Sequence, residues 1–99
     1  MNMYVCSCWF DIHLLEEPNS LKRKRQIIKS LKDRIWSKFR VSVAEVGEND
    51  IWQRSEIGVA FVTSDGVMAE QVFSKILGLI EKDGDLEIID MFHEVGKLK

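Results

Sequence analysis

The sequence predicts an α+β fold: one ferredoxin-like domain over residues 1–99, a β-α-β-β-α-β sandwich with two helices on one face of an antiparallel sheet. Three observations predict it. The chain opens on strict two-residue alternation, two stretches of helical periodicity follow, and three β-rich segments separate and close them. Right-handed crossovers then put both helices on the same sheet face and set the strand order 4-1-3-2. A chain of 99 residues is one domain and buries enough surface for a core without disulfides or metals.

Tyr4 to Leu14 reads as the first strand. Tyr4, Cys6, Cys8, Phe10, Ile12 and Leu14 share one face, and Val5, Ser7, Trp9, Asp11 and His13 the other. Glu16 to Asn19 is a loop, because Pro18 has no amide to donate to a ladder. Ser20 suits a helix N-cap, and Leu21, Ile28, Leu31, Ile35 and Phe39 recur behind it as one apolar stripe. Lys24 falls inside that stripe by angle, and its aliphatic stem is expected to carry the charge outward. Arg40 to Val46 and Ile57 to Thr63 read as the second and third strands, joined by a ten-residue connection. Ser64 or Asp65 caps a second helix whose stripe is Val67 or Met68, Val72, Ile76, Leu79 and Ile80, with Phe73 at its edge. Gly84 suits the turn that ends it, and Leu86 to Glu94 forms the last strand. That strand lacks clean alternation: Ile88 and Ile89 point to opposite faces, as do Met91 and Phe92. With Val5 and Trp9 on the helix-free face, both faces of the sheet are partly apolar, and an apolar open face is expected to be covered.

The net charge of −2 hides an asymmetry. Ser20 to Arg40 holds nine cations and a single acid, Asp33, for a net +8, whereas the remainder holds five cations and fifteen acids, for a net −10. Such a split gives a directed surface field. No apolar run is long enough to span a bilayer and no signal peptide is visible, so a cytoplasmic protein without membrane attachment is expected. Cys6 and Cys8 share one strand face at a spacing unsuited to bridging and read as small core residues.

Ser20-Leu21-Lys22-Arg23-Lys24-Arg25, Val41-Ser42-Val43-Ala44-Glu45-Val46 and the run from Asp50 to Ala60 containing Trp52-Gln53-Arg54 carry a family resemblance. Together they resemble the YlxP-like family of small uncharacterised bacterial proteins, over nearly the whole chain and at matching spacing. The resemblance implies a ferredoxin-like fold. The family's genes often stand beside those for translation initiation and ribosome maturation, so the resemblance also implies a ribosome- or RNA-associated factor. The chain departs from the family pattern in its first strand, at Cys6, Cys8 and Trp9, and in its tail.

Three constellations bear on chemistry. Lys22, Arg23, Lys24 and Arg25 crowd one helical turn and are joined by Lys29 and Lys32. Clustered cations suit phosphates, and cations at a helix N-terminus oppose its dipole, so a purely structural reason for them is weak. The alternative is a solvated face paired with the chain's own acids. Trp52-Gln53-Arg54 beside a long loop offers an indole, an amide and a guanidinium for stacking and edge contacts to single-stranded RNA. Alternatively Trp52 plugs the edge of the core and Arg54 pairs with Glu45. Trp9, Asp11 and His13 share the open face, where an imidazole and a carboxylate suit acid–base work but lack a nucleophile or a second carboxylate beside them. Trp9, with Val5, therefore reads as a contact residue on a sheet platform or a homodimer face. His13 and His93 are expected near opposite ends of the sheet, no zinc spacing occurs, and the glycines are scattered. The expectation is a non-enzymatic RNA- or ribosome-binding module without metal or small-molecule cofactor. A homodimeric protein-interaction module is the alternative.

Overall fold

A computed structural model describes residues 1–16 and 18–99. The elements follow in the order β1 (Tyr4–Leu14), α1 (Leu21–Phe39), β2 (Ser42–Gly47), β3 (Arg54–Thr63), α2 (Gly66–Glu81) and β4 (Leu86–Lys97). The sheet is antiparallel with order β2-β3-β1-β4, and the fold is the ferredoxin-like sandwich. The central strand β1 pairs Tyr4 with Thr63 and His13 with Arg54 on one side, and Tyr4 with Lys97 and Leu14 with Leu86 on the other.

Alternation in β1 does what the pattern requires. Cys6, Cys8, Phe10, Ile12 and Leu14 are buried under the helices. Ile28, Leu31 and Ile35 of α1 meet them from above, as do Ala69, Phe73, Ile76 and Ile80 of α2. Each large aliphatic or aromatic side chain so buried contributes about 1.5–3 kcal/mol. Ser20 takes an extended backbone and its hydroxyl accepts from the Arg23 amide at 3.1 Å, closing the first turn of α1. Asp65 does the same for α2, accepting from Val67 and Met68.

Several boundaries differ from expectation for local reasons. Arg40 is not in a strand: it adopts φ 54°, and its amide donates to the Trp36 carbonyl, capping α1. β3 starts at Arg54 rather than Ile57, because pairing with β1 continues to His13, so the hairpin loop shortens to residues 48–53. The α2 stripe is rotated: Phe73 is at its centre, while Val67 and Met68 are exposed. Gly84 adopts no positive φ; α2 ends through Lys82, and the Asp83 carboxylate accepts from the Asp85 amide at 2.9 Å. β4 runs on to Lys97, so His93 faces Cys8 in mid-strand rather than near the sheet's far end. A register shift between Asp11 and Ile12 leaves Ile89 as the extra residue, which accounts for the broken alternation of β4.

Candidate nucleic-acid interface

The topology sets the geometry of the interface. β1 ends at Leu14 where β3 begins, and β2 also ends there, so the start of α1 and the loop 48–53 lie at one end of the molecule. The cation-rich first turn and Trp52-Gln53-Arg54, distant in sequence, therefore share that end. Backbone bonds hold it together: the Leu14 amide donates to the Gln53 carbonyl at 2.7 Å, and Leu15 to the Asp85 carbonyl at 2.9 Å.

Lys24 is the clasp of this end and not a phosphate ligand. It is 0% exposed, and its Nζ donates to the Glu48 carbonyl at 2.5 Å and the Asn49 carbonyl at 3.2 Å. The same nitrogen pairs with Glu45 Oε2 at 3.0 Å, and the buried Ser55 hydroxyl donates to that carboxylate oxygen. The stem thus points inward to a polar pocket instead of outward, and Lys24 drops out of the cation cluster. Its neighbours differ. Lys22, Arg23 and Arg25 are exposed and Lys32 is half-exposed, and none makes an ion pair among the described residues. Lys29 pairs with Asp33 one turn on at 2.6 Å, with both side chains largely in water. Such a pair contributes a few tenths of a kcal/mol and yields readily to a competing anion.

Trp52 does not plug the core: it is 43% exposed, and Gln53 is half-buried. Arg54 reaches Asp11 on the open sheet face at 2.5 Å, not Glu45, which is occupied by Lys24. Paired in this way, Arg54 is a neutralised member of the rim. Asp11 Oδ1 and Arg54 Nε are buried without a hydrogen-bond partner among the described residues, so the pair is incompletely satisfied.

Val5, Trp9, Asp11 and His13 share the helix-free face, opposite Val62, Gly58, Glu56 and Arg54 of β3. The Trp9 indole donates to Glu56 Oε1 at 2.9 Å, which holds its ring to the sheet. The exposed apolar weight of this face lies elsewhere: Val62 is 62% exposed and Phe92, across from Trp9, is 63% exposed. The irregular alternation of β4 hides in the sequence which face Phe92 takes.

The groups with nucleophilic or ligand chemistry are differently placed. Burial pushes the Cys8 thiol up to about 12, with Cys6 beside it adding to the shift, and raises the Cys6 thiol as well. Protonated thiols of this kind are poor nucleophiles at neutral pH. Their sulfurs lie 3.8 Å apart, joined by an S–H···S hydrogen bond and not by a disulfide. His93 stacks on Phe73 at 3.7 Å and bonds to Glu70 at 2.8 Å. Among the described residues no three His, Cys, Asp or Glu side chains gather as a metal site. No helix is long and apolar enough to cross a membrane.

One aromatic feature escapes the sequence reading. Trp36 is 50% exposed on α1, and the Arg40 guanidinium stands over its ring at 4.3 Å. Trp36 follows Lys29 by seven residues and Lys32 by four, a helical spacing that was available as a signal.

The architecture defines a small ferredoxin-like domain with a cation-rich helix start and an uncovered sheet face. Comparison with known proteins places it further. The profile of a protein family of unknown function, DUF503, matches residues 5–92. The uncharacterized protein YlxP of Bacillus subtilis (strain 168) is 34% identical over 82 residues, spanning 83% of this chain and 84% of that protein. The chain belongs to this YlxP-like family of uncharacterised proteins. Two solved structures are also similar. A C-terminal segment of the alpha subunit of aIF2 from Pyrococcus abyssi matches with a TM-score of 0.47 and 19% identity, over 98% of this chain and 50% of that one. A dabb family protein with a ferredoxin-like fold from Mesorhizobium loti matches with a TM-score of 0.44 and 12% identity, over 97% and 96% of the two chains. Likeness at this level assigns no function.

Proposed function

We propose that this chain is a non-catalytic, cytoplasmic RNA-binding accessory factor acting at the ribosome, which holds backbone phosphates with the exposed cations of α1. The observation that carries the reading is that Lys22, Arg23, Arg25 and Lys32 stand in or near solvent with no carboxylate partner among the described residues. Lys22, Arg23 and Arg25, left so at the helix end where they oppose the dipole, are best accounted for by an outside anion. Trp52, at the same end, offers an exposed ring beside them. The resemblance to a family associated with translation points the same way. The test replaces Lys22, Arg23 and Arg25 together by Glu. Co-sedimentation with RNA or ribosomal subunits is expected to be lost, and undiminished co-sedimentation would refute the reading.

The open sheet face favours a second reading, a homodimer. Val5, Val62 and Phe92 are exposed on one surface around Trp9. Sedimentation equilibrium of the wild type and Phe92→Glu decides it. A dimer converted to monomer by the substitution is the result this reading requires, and a wild-type monomer at high concentration removes it.

A further inference from the structure

One flank of α1 carries a longer and more specific arrangement than the cluster at its start. Lys22, Arg25, Lys29, Lys32 and Trp36 follow one another at intervals of three, four, three and four residues, so they form a single row along the helix. The row is about 21 Å long. Apart from Lys29, which also borders the groove between α1 and Leu79 of α2, the row lies on the flank turned away from α2. The other flank is engaged there: Arg34 pairs with Asp83 after α2, and Arg34, Lys38 and Leu79 line a shared groove. Beneath the row runs the edge strand β2, whose one acid, Glu45, is turned inward to Lys24 and Ser55. Glu48 and Asp50 stand in the following loop, but neither pairs with a cation of the row.

The row ends in a built feature. A Trp on the polar flank of a helix exposes a large apolar ring where burial in the apolar stripe was the alternative. Here half of Trp36 remains in solvent, and its neighbours on the core side, Leu31 and Ile35, fill the stripe without it. Arg40 then occupies a left-handed position, φ 54°, where glycine is the ordinary choice. This conformation caps the helix and sets the guanidinium over the indole. The result is a stacked aromatic–guanidinium pair, a π surface with a positive charge attached, continuous with a line of cations.

We infer that this flank is a track for single-stranded RNA, in which Lys22, Arg25, Lys29 and Lys32 follow successive phosphates and the Trp36–Arg40 pair stacks a base. The inference rests on the RNA-binding reading above and adds to it a direction along α1 and a base-contacting residue. A ring paired with a guanidinium takes any base by its face, so binding along the track is tolerant of sequence and sensitive to whether bases are present. A duplex, whose bases are already stacked on one another, does not supply a free face.

The test measures binding of oligouridylate, of an abasic oligomer of equal length and charge, and of polyglutamate. The wild type is expected to prefer oligouridylate over the abasic strand. Trp36→Ala is expected to weaken oligouridylate binding roughly ten-fold while leaving abasic binding unchanged, and Trp36→Phe to retain most of the preference. Circular dichroism melting shows that these exposed-site variants fold, and the wild-type comparison of the two strands needs no variant. If the wild type binds both strands equally, or Trp36→Ala weakens both alike, the base-stacking assignment is overturned while the cation reading survives. Absence of binding to either strand overturns both, and tighter binding to polyglutamate than to RNA reassigns the flank to an acidic protein.

Discussion

At Lys24 a single residue decides how much of the basic cluster is surface and how much is scaffold. Its angle on the helix wheel falls among apolar residues, and that much is legible in the sequence. Its direction is not, because the carbonyls of Glu48 and Asn49 that receive the ammonium belong to a loop some twenty-five residues away. A buried ammonium is tolerable only with such partners. Lys24→Met leaves Glu45 without its cation and two carbonyls without their donor, and is expected to lower unfolding stability by about 3–5 kcal/mol in urea titration, most of it recovered by adding Glu45→Leu. A loss below about 1 kcal/mol for the single variant contradicts the clasp. Cys6 and Cys8 were legible as core from alternation alone, and the structure buries both. Their thiols ionise near 9.0 in the unfolded chain, and Cys8 only at about 12 in the fold. The folded state therefore holds those protons more tightly. The thiols' contribution to stability is complete below pH 9 and is lost as pH rises toward 12. The urea midpoint of the wild type is expected to fall more steeply across that range than that of a Cys6→Ala, Cys8→Ala double variant. Parallel curves would contradict the assignment.

Among the elements, α1 is the one whose sequence says most. Ser20, the apolar stripe and the end at Phe39 are all present in local pattern, and the structure keeps them. Periodicity also places Trp36 off the stripe, but it does not say which flank a neighbouring helix covers. Only the packing of α2, through Arg34, Asp83 and Leu79, distinguishes the engaged flank from the free one. In α2 the period was right and the phase was wrong. Phe73 outranks Val67 and Met68 because it stacks between Phe10 and His93. β4 misled for a different reason, since a bulge at Ile89 changes the face of every residue on one side of it, and no composition signal marks the extra residue. The exposed Phe92 opposite Trp9 follows from that bulge, and with it the open face that the homodimer reading uses.

Taken whole, the molecule sorts charge in space as the chain sorts it in sequence. The segment of net +8 becomes one helix, and its acids of compensation lie mainly in β3, β4, α2 and the loops. The strand order was legible from connection rules alone, and it is what brings the start of α1 and the loop bearing Trp52 to one end. The contents of that end were legible only in part. The sequence leaves Arg54 as an RNA contact or a partner of Glu45, but cross-strand register hands it to Asp11, and Lys24 is withdrawn into the interior. What remains is a set of cations on α1 spread along its length, and RNA binding by this chain requires phosphates to engage them. The salt dependence of binding to a short oligouridylate measures this directly, with the affinity followed from low to physiological salt. Four engaged phosphates predict a log–log slope of roughly −2.8, reduced toward zero when Lys22, Arg23 and Arg25 are replaced by Glu. A wild-type slope near zero, or the same slope in the reversed-charge variant, would contradict it.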